Sequence, residues 1–364
     1  MPNKPTSSPV LRFDSGLNDD ALEAVRDNVS AIVNDRDHLW LGGDEGTSIH
    51  RMTRQRSGNF GDHVTFELKD ILRLPAPAEE EIDIEGLDLD GGYLWLIGSH
   101  SAKRKKTDKD RTLPENLKRL TKVELEGNRL TLARVPLDGT STPVEKHGRL
   151  TAARLAGDVR ANLLTTALQK DHHLGRFVPR AMPDGSVQGI PSKDNGFDVE
   201  GLAVTGNRVF LGLRGPVLRG WALVIELRVA EAAPGQLTLE ALGAGGEPYL
   251  KHFLPLQGLG VRDLVIHGRD LLVLAGPSMD LDGPVFVYRW QGGLKQSADS
   301  IAAKKDLTTV VTVPFGVTKD HAEGLSLVTD SPPSVLVCYD SPAKSRIRGA
   351  NGTGVTADIF RVRT

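Results

Sequence analysis

The apolar and polar positions of the chain repeat one pattern in five segments. Each segment begins with a short apolar run that ends in a turn, and a second apolar run then ends in Gly or another small residue. Short apolar runs bounded by turns are typical of β-strands, so each segment predicts a β-hairpin. The segments span residues 29–44, 84–100, 199–214, 261–276 and 322–340.

The interval between these hairpins indicates a β-propeller. The segments follow one another at about 60 residues, with one interval of about twice that length, and further strand-like runs follow most hairpins. Four-stranded blades commonly repeat every ~40 to 50 residues, and longer loops account for the difference. We predict an all-β, single-domain β-propeller over residues 1–364, with five blades, or six if residues 175–195 contain an irregular one.

The doubled interval predicts a helical insertion between blades 2 and 3, over residues 141–198. Within it, apolar residues follow helical spacing from residue 152 to residue 168. The fifth segment lacks an outer strand, and the run at residues 10–14 has the pattern of one. We therefore expect an N-terminal strand to close the last blade, which removes an open sheet edge.

Propeller geometry gathers one set of polar residues at one mouth of the central channel, where each innermost strand begins and each second strand ends. The aligned first positions carry Ser30, Glu85, Glu200, Arg262 and Glu323. Two residues earlier stand Asn28, Asp83, Asp198, Gly260 and His321. The ends of the second strands add Asp44, Glu45, His100, Arg214, Ser278 and Asp340.

Carboxylates that converge on one axis repel one another unless a cation compensates them. A hard divalent cation such as Ca²⁺ is one solution, since it prefers oxygen ligands. The alternative is that Arg262 acts as a built-in counter-ion. In a third interpretation the charged ring only ties the blades together, because ion-pair networks and functional sites both contain buried charges. The candidate metal ligands are Ser30, Glu85, Glu200 and Glu323.

Two groups of residues are candidates for chemistry and for substrate binding. A general base or metal ligand is expected among the carboxylates, and the arginines suit an anionic substrate. The candidate catalytic residues are Glu85, Glu200, Glu323, His100 and His321, and the candidate substrate-binding residues are Arg214, Arg262, Asp198 and Asp83. The basic loop of residues 99–111 is expected to project from this mouth, either to hold an anion or as a solvated loop.

Composition narrows the classes of function. Lys and Arg number 45 and Asp and Glu 47, giving a net charge of -2, which argues against a nucleic-acid partner. The single cysteine, Cys338, excludes an intramolecular disulfide and a cysteine-based zinc cluster, and its apolar neighbours predict a buried thiol. The N-terminus lacks the apolar core of a signal peptide, and no stretch has the length of a membrane span. We expect a cytoplasmic protein with no membrane partner.

Several motifs resemble those of known families. Residues 83–87 (Asp-Ile-Glu-Gly-Leu), 198–202 (Asp-Val-Glu-Gly-Leu), the turn 98–101 and residues 261–264 resemble the bacterial propeller family called domain of unknown function 3616, over essentially the whole chain. The order Ser30, Glu85, Glu200, a fourth residue, Glu323 is similar to the central ligand set of the calcium-activated nucleotidases (apyrases). Those are five-bladed propellers that hold Ca²⁺ on the axis and hydrolyse nucleoside di- and triphosphates. Where that family has a fourth oxygen ligand, this chain has Arg262, or Asp263 if the register shifts by one residue.

Similar Glu-Gly-Leu segments occur in phytase-like and esterase-like propellers, so these resemblances together imply a phosphoester or ester hydrolase. One hypothesis is therefore a metal-dependent hydrolase of phosphorylated or other anionic small molecules. The other is a non-catalytic propeller that binds a small ligand or a partner protein at the same mouth, with a structural Glu/Arg ring.

Overall fold

The chain is all-β, as the strand pattern predicts. A computed structural model describes residues 2–363. Five hairpins surround a central axis, and their first strands contact one another in a closed cyclic order. The sheets extend outward from these hairpins through antiparallel pairing. Among the described residues, no helix has the length and apolar character needed to cross a membrane.

The first sheet begins after a short helix, α1 (Asp19–Asp27), which Asn18 caps by accepting a hydrogen bond from the Ala21 N–H. Its hairpin continues outward through two more antiparallel strands. The strands are β1 Val10–Arg12, β2 Val29–Asn34, β3 His38–Gly43, β4 Ser48–Arg54 and β5 Phe60–Glu67.

The second sheet is formed by β6, β7, β10 and β13, and three short ribbons and two helices lie in the same part of the chain. Its outer strand continues into the third sheet, because residues 154–155 pair in parallel with residues 236–237. Its strands and the ribbon strands are β6 Ile84–Asp90, β7 Tyr93–Gly98, β8 Lys103–Arg104, β9 Val123–Glu124, β10 Leu132–Pro136, β11 Lys146–His147, β12 Leu150–Thr151, β13 Ala153–Leu155, β14 Arg180–Ala181 and β15 Val187–Gln188. The helices are α2 Leu113–Leu120 and α3 Leu163–Leu168.

The remaining three sheets follow in chain order. The third contains β16 Asp198–Thr205, β17 Arg208–Leu218, β18 Trp221–Ala233, β19 Gln236–Leu239 and β20 Tyr249–Leu254. The fourth contains β21 Gly260–His267, β22 Asp270–Gly276, β23 Val285–Trp290 and β25 Leu307–Val313, while β24 Ser300–Ile301 pairs with β20. The last part of the chain forms β26 His321–Asp330, β27 Pro333–Asp340, β28 Ile347–Arg348, β29 Gly354–Thr356 and β30 Asp358–Arg361. Short 3₁₀ turns lie at Leu68–Asp70, Gly127–Leu130, Ser192–Asp194, Gly293–Lys295, Lys304–Asp306 and Ala350–Gly352.

An apolar cluster fills the space between each pair of neighbouring sheets. Trp40 lies between the first and second sheets, Trp95 between the second and third, and Trp290 between the third and fourth. Phe360 lies between the fourth and fifth, and Cys338 between the fifth and the first. Burial raises the pKa of the Cys338 thiol, so the sole cysteine is a core residue, as its neighbours predict.

The glycine in each Glu-Gly-Leu segment lets neighbouring inner strands approach closely. A Cβ on Gly86 would lie 2.6 Å from the Cβ of Leu202, and a Cβ on Gly324 would lie 2.9 Å from Cγ1 of Ile32. Real Cβ atoms do not approach other carbons so closely, because protein interiors are close-packed. The Gly-Leu part of the repeat is therefore a packing motif.

The predicted helical insertion is wrong over its first part. Residues 150–151 and 153–155 are strands, and β13 is the outer strand of the second sheet. Gly157 bridges Asn162, which then caps α3, so the helix is confined to Leu163–Leu168. Of the apolar residues at helical spacing, Ala152 and Leu155 are buried at and beside β13, so their burial in a sheet accounts for their apolar character.

Residues 121–125, one of the strand-like runs that follow the second hairpin, do not extend the second sheet. Only β9 forms there, and it pairs with β8 in a separate ribbon. The strand β10 pairs directly with β7 instead.

The N-terminus reaches the last sheet through residues other than those predicted. β1 lies in the first sheet, between β5 and β29. Farther toward the N-terminus, Ile359 of β30 donates a backbone hydrogen bond to the Ser7 carbonyl at 2.8 Å. The Thr6 N–H donates to the Ile359 carbonyl at 2.7 Å. The N-terminal segment therefore pairs with the last sheet through residues 6–7, and not through the predicted residues 10–14.

We expect Gly86→Ala to lower the free energy of unfolding by about 1–3 kcal/mol, because the added methyl overpacks the contact with Leu202. Urea denaturation measures the change. Gly139→Ala is the control, since a Cβ there meets no atom within 4 Å, and we expect a change of about 0.5 kcal/mol or less. Equal stability of the two variants would contradict the packing role.

Candidate functional site

A β-bulge at the start of each inner strand holds the aligned residues. The pairing register between first and second strands skips one residue in β2, β6, β16 and β21, and two in β26. The skipped residues are Ser30, Glu85, Glu200, Arg262, and Glu323 with Gly324. A bulge bends the strand and re-aims the side chain of its extra residue. The five hairpins therefore gather these side chains through the same local irregularity, repeated around the axis.

The starts of the inner strands open into a cavity of about 1110 Å³. Acidic and basic side chains both line it. The buried and half-buried part includes Asp44, Asp83, Glu85, Asp198, Arg214, Arg262, His321, Glu323 and Asp340. Basic residues that are half-buried or exposed also line it: Lys103, Arg104, Lys105, Lys106, Arg119 and Lys193.

Two buried arginines link the third, fourth and fifth sheets through shared carboxylates. Arg262 lies 3.1 Å from Oε2 of Glu200 and also contacts Glu323. Arg214, near the end of the regular β17 pairing, lies 2.8 Å from Oε1 of Glu200 and contacts Asp198. Burial raises the pKa of Glu200 to about 8, although both arginines act in the opposite direction. Glu200 is enclosed between the two guanidinium groups and is not among the residues that line the cavity.

Three other carboxylates form a compact cluster at the cavity. One oxygen each of Asp44, Glu85 and Glu323 lies within 4.8 Å of the other two. Glu85 is 8% exposed and has no hydrogen bond or ion pair within residues 2–363. One oxygen of Asp44 is likewise buried without a partner. Burial, reinforced by the neighbouring carboxylates, raises the pKa of both Asp44 and Glu85 well above the usual range.

The three carboxylates of this cluster suit a bound hard divalent cation better than they suit a site without any counter-ion. Ca²⁺ takes carboxylate oxygens, and an ion between the three side chains would offset the repulsion that raises their pKa values. Arg262 forms an ion pair with Glu323, whereas no arginine within residues 2–363 contacts Asp44 or Glu85. The sequence placed Asp44 at this mouth without assigning it as a ligand. Glu200, which the sequence predicted as a metal ligand, instead forms ion pairs with Arg214 and Arg262.

His321 lies at the edge of the same cavity. Its Nε2 is 3.3 Å from Oδ1 of Asp282, and its Nδ1 is 3.7 Å from Oδ2 of Asp340. Hydrogen bonding to Asp340, partly opposed by burial and aided by Asp282, raises its pKa. The imidazole is two residues from Glu323 in the chain, so a protonatable group stands beside the carboxylate cluster.

The hydroxyl of Ser30 does not join the cluster. Its Oγ donates to the carbonyl of Ile84 on the neighbouring inner strand and also lies near the carbonyl of Gly42. Ser30 therefore links two sheets, and its hydroxyl proton is engaged.

His100 points away from the cavity. Its Nδ1 lies 2.8 Å from the Gly98 carbonyl, and its Nε2 lies 2.7 Å from the Asn162 side-chain nitrogen. Burial lowers its pKa to about 4, so the ring is neutral and both nitrogens are engaged. The backbone at His100 has a φ of 54°, and this left-handed turn removes the side chain from the mouth that strand alternation had assigned to it.

Asp83 pairs with Arg129, which the sequence reasoning missed. Arg129 also lies 2.9 Å from Glu126 and 3.2 Å from Glu81. Burial raises the pKa of Asp83, and Arg129 opposes that shift. Because Arg129 lies in a 3₁₀ turn between strands, the hairpin repeat contains no signal that identifies it.

The basic loop turns back over the cavity, and its charges are mostly paired. Lys103 lies 2.8 Å from Glu126, Arg104 2.7 Å from Asp194, and Lys105 2.7 Å from Glu124. For Lys106, no ion pair forms within the part of the chain that the structure describes. The loop therefore supplies a few free cations and not a uniformly positive face.

Comparison with known proteins gives a family and distant similarities of structure. The family described as "Protein of unknown function (DUF3616)" matches residues 28–358. The chain matches none of the curated proteins.

Three solved structures illustrate the distant similarity. PQQ-bound aldose sugar dehydrogenase from Streptomyces coelicolor is 13% identical with a TM-score of 0.39, over 99% of this chain and 100% of that one. The calcium-binding protein regucalcin from Agrobacterium tumefaciens strain C58 is 9% identical with a TM-score of 0.36, over 93% and 92%. The catalytic domain of the Coprinopsis cinerea GH62 α-L-arabinofuranosidase is 8% identical with a TM-score of 0.41, over 98% and 97%. At these values the similarity carries no argument about function.

The raised carboxyl pKa values predict a pH dependence of stability. A folded-state pKa above the unfolded value means that the folded chain binds more protons in the interval between them, so stability falls as pH rises through that interval. We expect the unfolding temperature of the chelator-treated protein to fall from about pH 5 to about pH 8, where Glu200 titrates.

Glu85→Gln should make this decline shallower, because it removes one group whose pKa is raised. Glu45→Gln, at an exposed position of the same cavity, is the control. A slope that is identical in Glu85→Gln and the unmodified protein would show that Glu85 has no raised pKa.

Proposed function

This chain belongs to the family of proteins of unknown function DUF3616, and we propose that its central cavity is a divalent-cation-dependent hydrolytic site for small anionic molecules such as phosphoesters. In this proposal the five hairpins are the inner halves of five propeller blades, and the site combines the bulge residues Glu85 and Glu323 with Asp44, which follows β3. The observation that carries it is the cluster of Asp44, Glu85 and Glu323, in which Glu85 is buried and without a partner.

Charge balance supports a cation at this cluster. Arg214 pairs with Asp198 and Glu200, and Arg262 pairs with Glu200 and Glu323. Asp44 and Glu85 contact neither arginine, so a bound cation or protons must compensate them. When bound, a divalent cation polarises a phosphoryl or carbonyl oxygen as a Lewis acid. Asp44, Glu85 and Glu323 are the residues that would hold it.

The remaining residues of the cavity suit the handling of an anion and a proton. His321, whose pKa is raised by Asp340 and Asp282, is the candidate general acid for a leaving oxygen. The free ammonium of Lys106 and the half-buried guanidinium of Arg119 line the cavity and attract anions toward it. An anionic small-molecule substrate fits these charges, whereas the balanced net charge of -2 does not favour nucleic acid. The cytoplasmic location stays a prediction.

Glu85→Gln should abolish both cation-dependent stabilisation and turnover of phosphoester substrates. In the unmodified protein, Ca²⁺, Mg²⁺ or Mn²⁺ at one hundred times its Kd should add about 2.7 kcal/mol to the free energy of unfolding. Thermal unfolding of chelator-stripped protein, titrated with each ion, measures this. Glu45→Gln should retain the response. No ion-specific rise in the unmodified protein would reject the cation site.

A second candidate function is a non-catalytic propeller whose mouth binds a ligand or a partner protein. The specific observation in its favour is the continuous network of Asp198, Arg214, Glu200, Arg262 and Glu323, which joins three sheets. Buried ion pairs of this kind are also found where they serve only to fix structure. In that case the charged ring is structural, and the cavity needs no cation.

We expect Arg262→Met to lower the free energy of unfolding by about 3–5 kcal/mol above pH 8, where Glu200 is ionised, because Glu200 and Glu323 then lose a buried counter-ion. Chemical denaturation measures the loss, and acid conditions should reduce it by protonating the carboxylates. Arg219→Met, at a β-hairpin turn outside the network, is the control. If Arg262→Met lowers the free energy of unfolding by less than about 0.5 kcal/mol, Arg262 does not stabilise the contact between the sheets.

A further inference from the structure

We propose that the cavity takes an amphiphilic anion, namely a phosphate ester that carries an alkyl or acyl chain. The chain would lie against an apolar wall formed by Met279, Leu281 and Phe315. This inference rests on the proposed function for the anionic head and adds the class of its substituent.

Four exposed large apolar side chains line this one cavity. Met279 is 40% exposed, Leu281 60% and Phe315 46%, and all three line the cavity. Leu120, from α2, lines the same cavity. Other exposed large apolar residues of the described chain, such as Ile301, do not line the cavity, and these four share one site.

The apolar wall is attached to the carboxylate cluster. Asp282, next to Leu281, accepts a hydrogen bond from the Thr318 N–H at 2.8 Å and lies 3.3 Å from His321. These contacts join the loop of Met279 and Leu281 to the loop of Phe315. They also fix both loops beside the start of β26, two residues from Glu323. The carboxylates and the apolar wall therefore line one continuous cavity.

The size of the cavity favours a ligand larger than an inorganic anion. Ligand pockets commonly enclose about 300–1,000 Å³, and this cavity is about 1110 Å³. A phosphate group alone would leave the apolar wall in contact with water. An alkyl or acyl substituent would cover it, and burying apolar surface is favourable.

The charges at the mouth favour a single molecule inside the cavity over a membrane surface. A bilayer-binding face carries an unpaired basic cluster. Here Lys103, Arg104 and Lys105 are each paired with a carboxylate, and Lys193 lies 3.8 Å from Asp280. The acidic partners stand at the same mouth and would repel an anionic lipid surface.

The test is calorimetric titration of the full chain with ethyl, butyl, hexyl and octyl phosphate at monomeric concentrations, with Ca²⁺ present. We expect the affinity to rise about threefold for each added methylene. Leu281→Ser should reduce this increment. Leu113→Ser should leave it unchanged, because Leu113 is 72% exposed but does not line the cavity.

Several outcomes would overturn the inference. They are equal affinity for all four phosphates, no binding of any of them, or an increment that is the same in Leu281→Ser. Binding to phosphatidylglycerol vesicles that Leu113→Ser abolishes would instead identify a membrane surface.

Glu85→Gln separates this inference from the proposed function. If the chain-length increment persists while neither protein shows cation-dependent turnover, the apolar wall is supported and the hydrolytic proposal fails. If turnover of phosphoesters is cation-dependent but indifferent to chain length, the hydrolytic proposal stands and the amphiphilic ligand is rejected.

Discussion

The five inner strands meet around the axis without backbone pairing between them, so side chains must satisfy the backbone groups that face the channel. Each inner strand is the edge of its sheet among the described residues, and buried backbone N–H groups need partners. Asp263 accepts from the Leu325 N–H at 2.6 Å, and Asp88 accepts from the Val204 N–H at 2.6 Å. The hydroxyl of Ser326 accepts from the Asn34 N–H at 2.9 Å.

This requirement explains why the centre of an otherwise apolar core is polar and acidic. Asp88 is held by two backbone N–H groups, yet burial raises its pKa to about 7. Asp263 is buried more deeply, and its pKa is raised well above the usual range. Asp88 and Asp263, which link neighbouring inner strands, thus already carry a desolvation cost. The carboxylates at the mouth add a further cost of their own. Arginines or a cation at the mouth are a consequence of this accumulation.

The sequence allowed the hairpins, the glycine contacts and the gathering of charges to be predicted because each depends on a local pattern that repeats. The position of Asp44 at the mouth followed from the same pattern. Other features depend on single, non-repeating contacts. His100 leaves the mouth because one residue adopts a left-handed backbone, and the run from residue 152 becomes a strand because β10 offers it an edge. Arg129 comes from a connecting turn whose path the strand pattern does not determine.

Two nearly identical segments show how the neighbouring strand decides the chemistry. Asp83 and Glu85 begin β6 in the same way that Asp198 and Glu200 begin β16. In the third sheet, Arg214 on the second strand binds both carboxylates of its segment. In the second sheet, β7 ends at Gly98 and supplies no cation, so Asp83 takes Arg129 from a loop. Glu85 is then left without a counter-ion. Glu200 is a structural residue and Glu85 a candidate ligand because only Glu200 has an arginine on the adjacent strand. Their own sequence motifs are nearly the same.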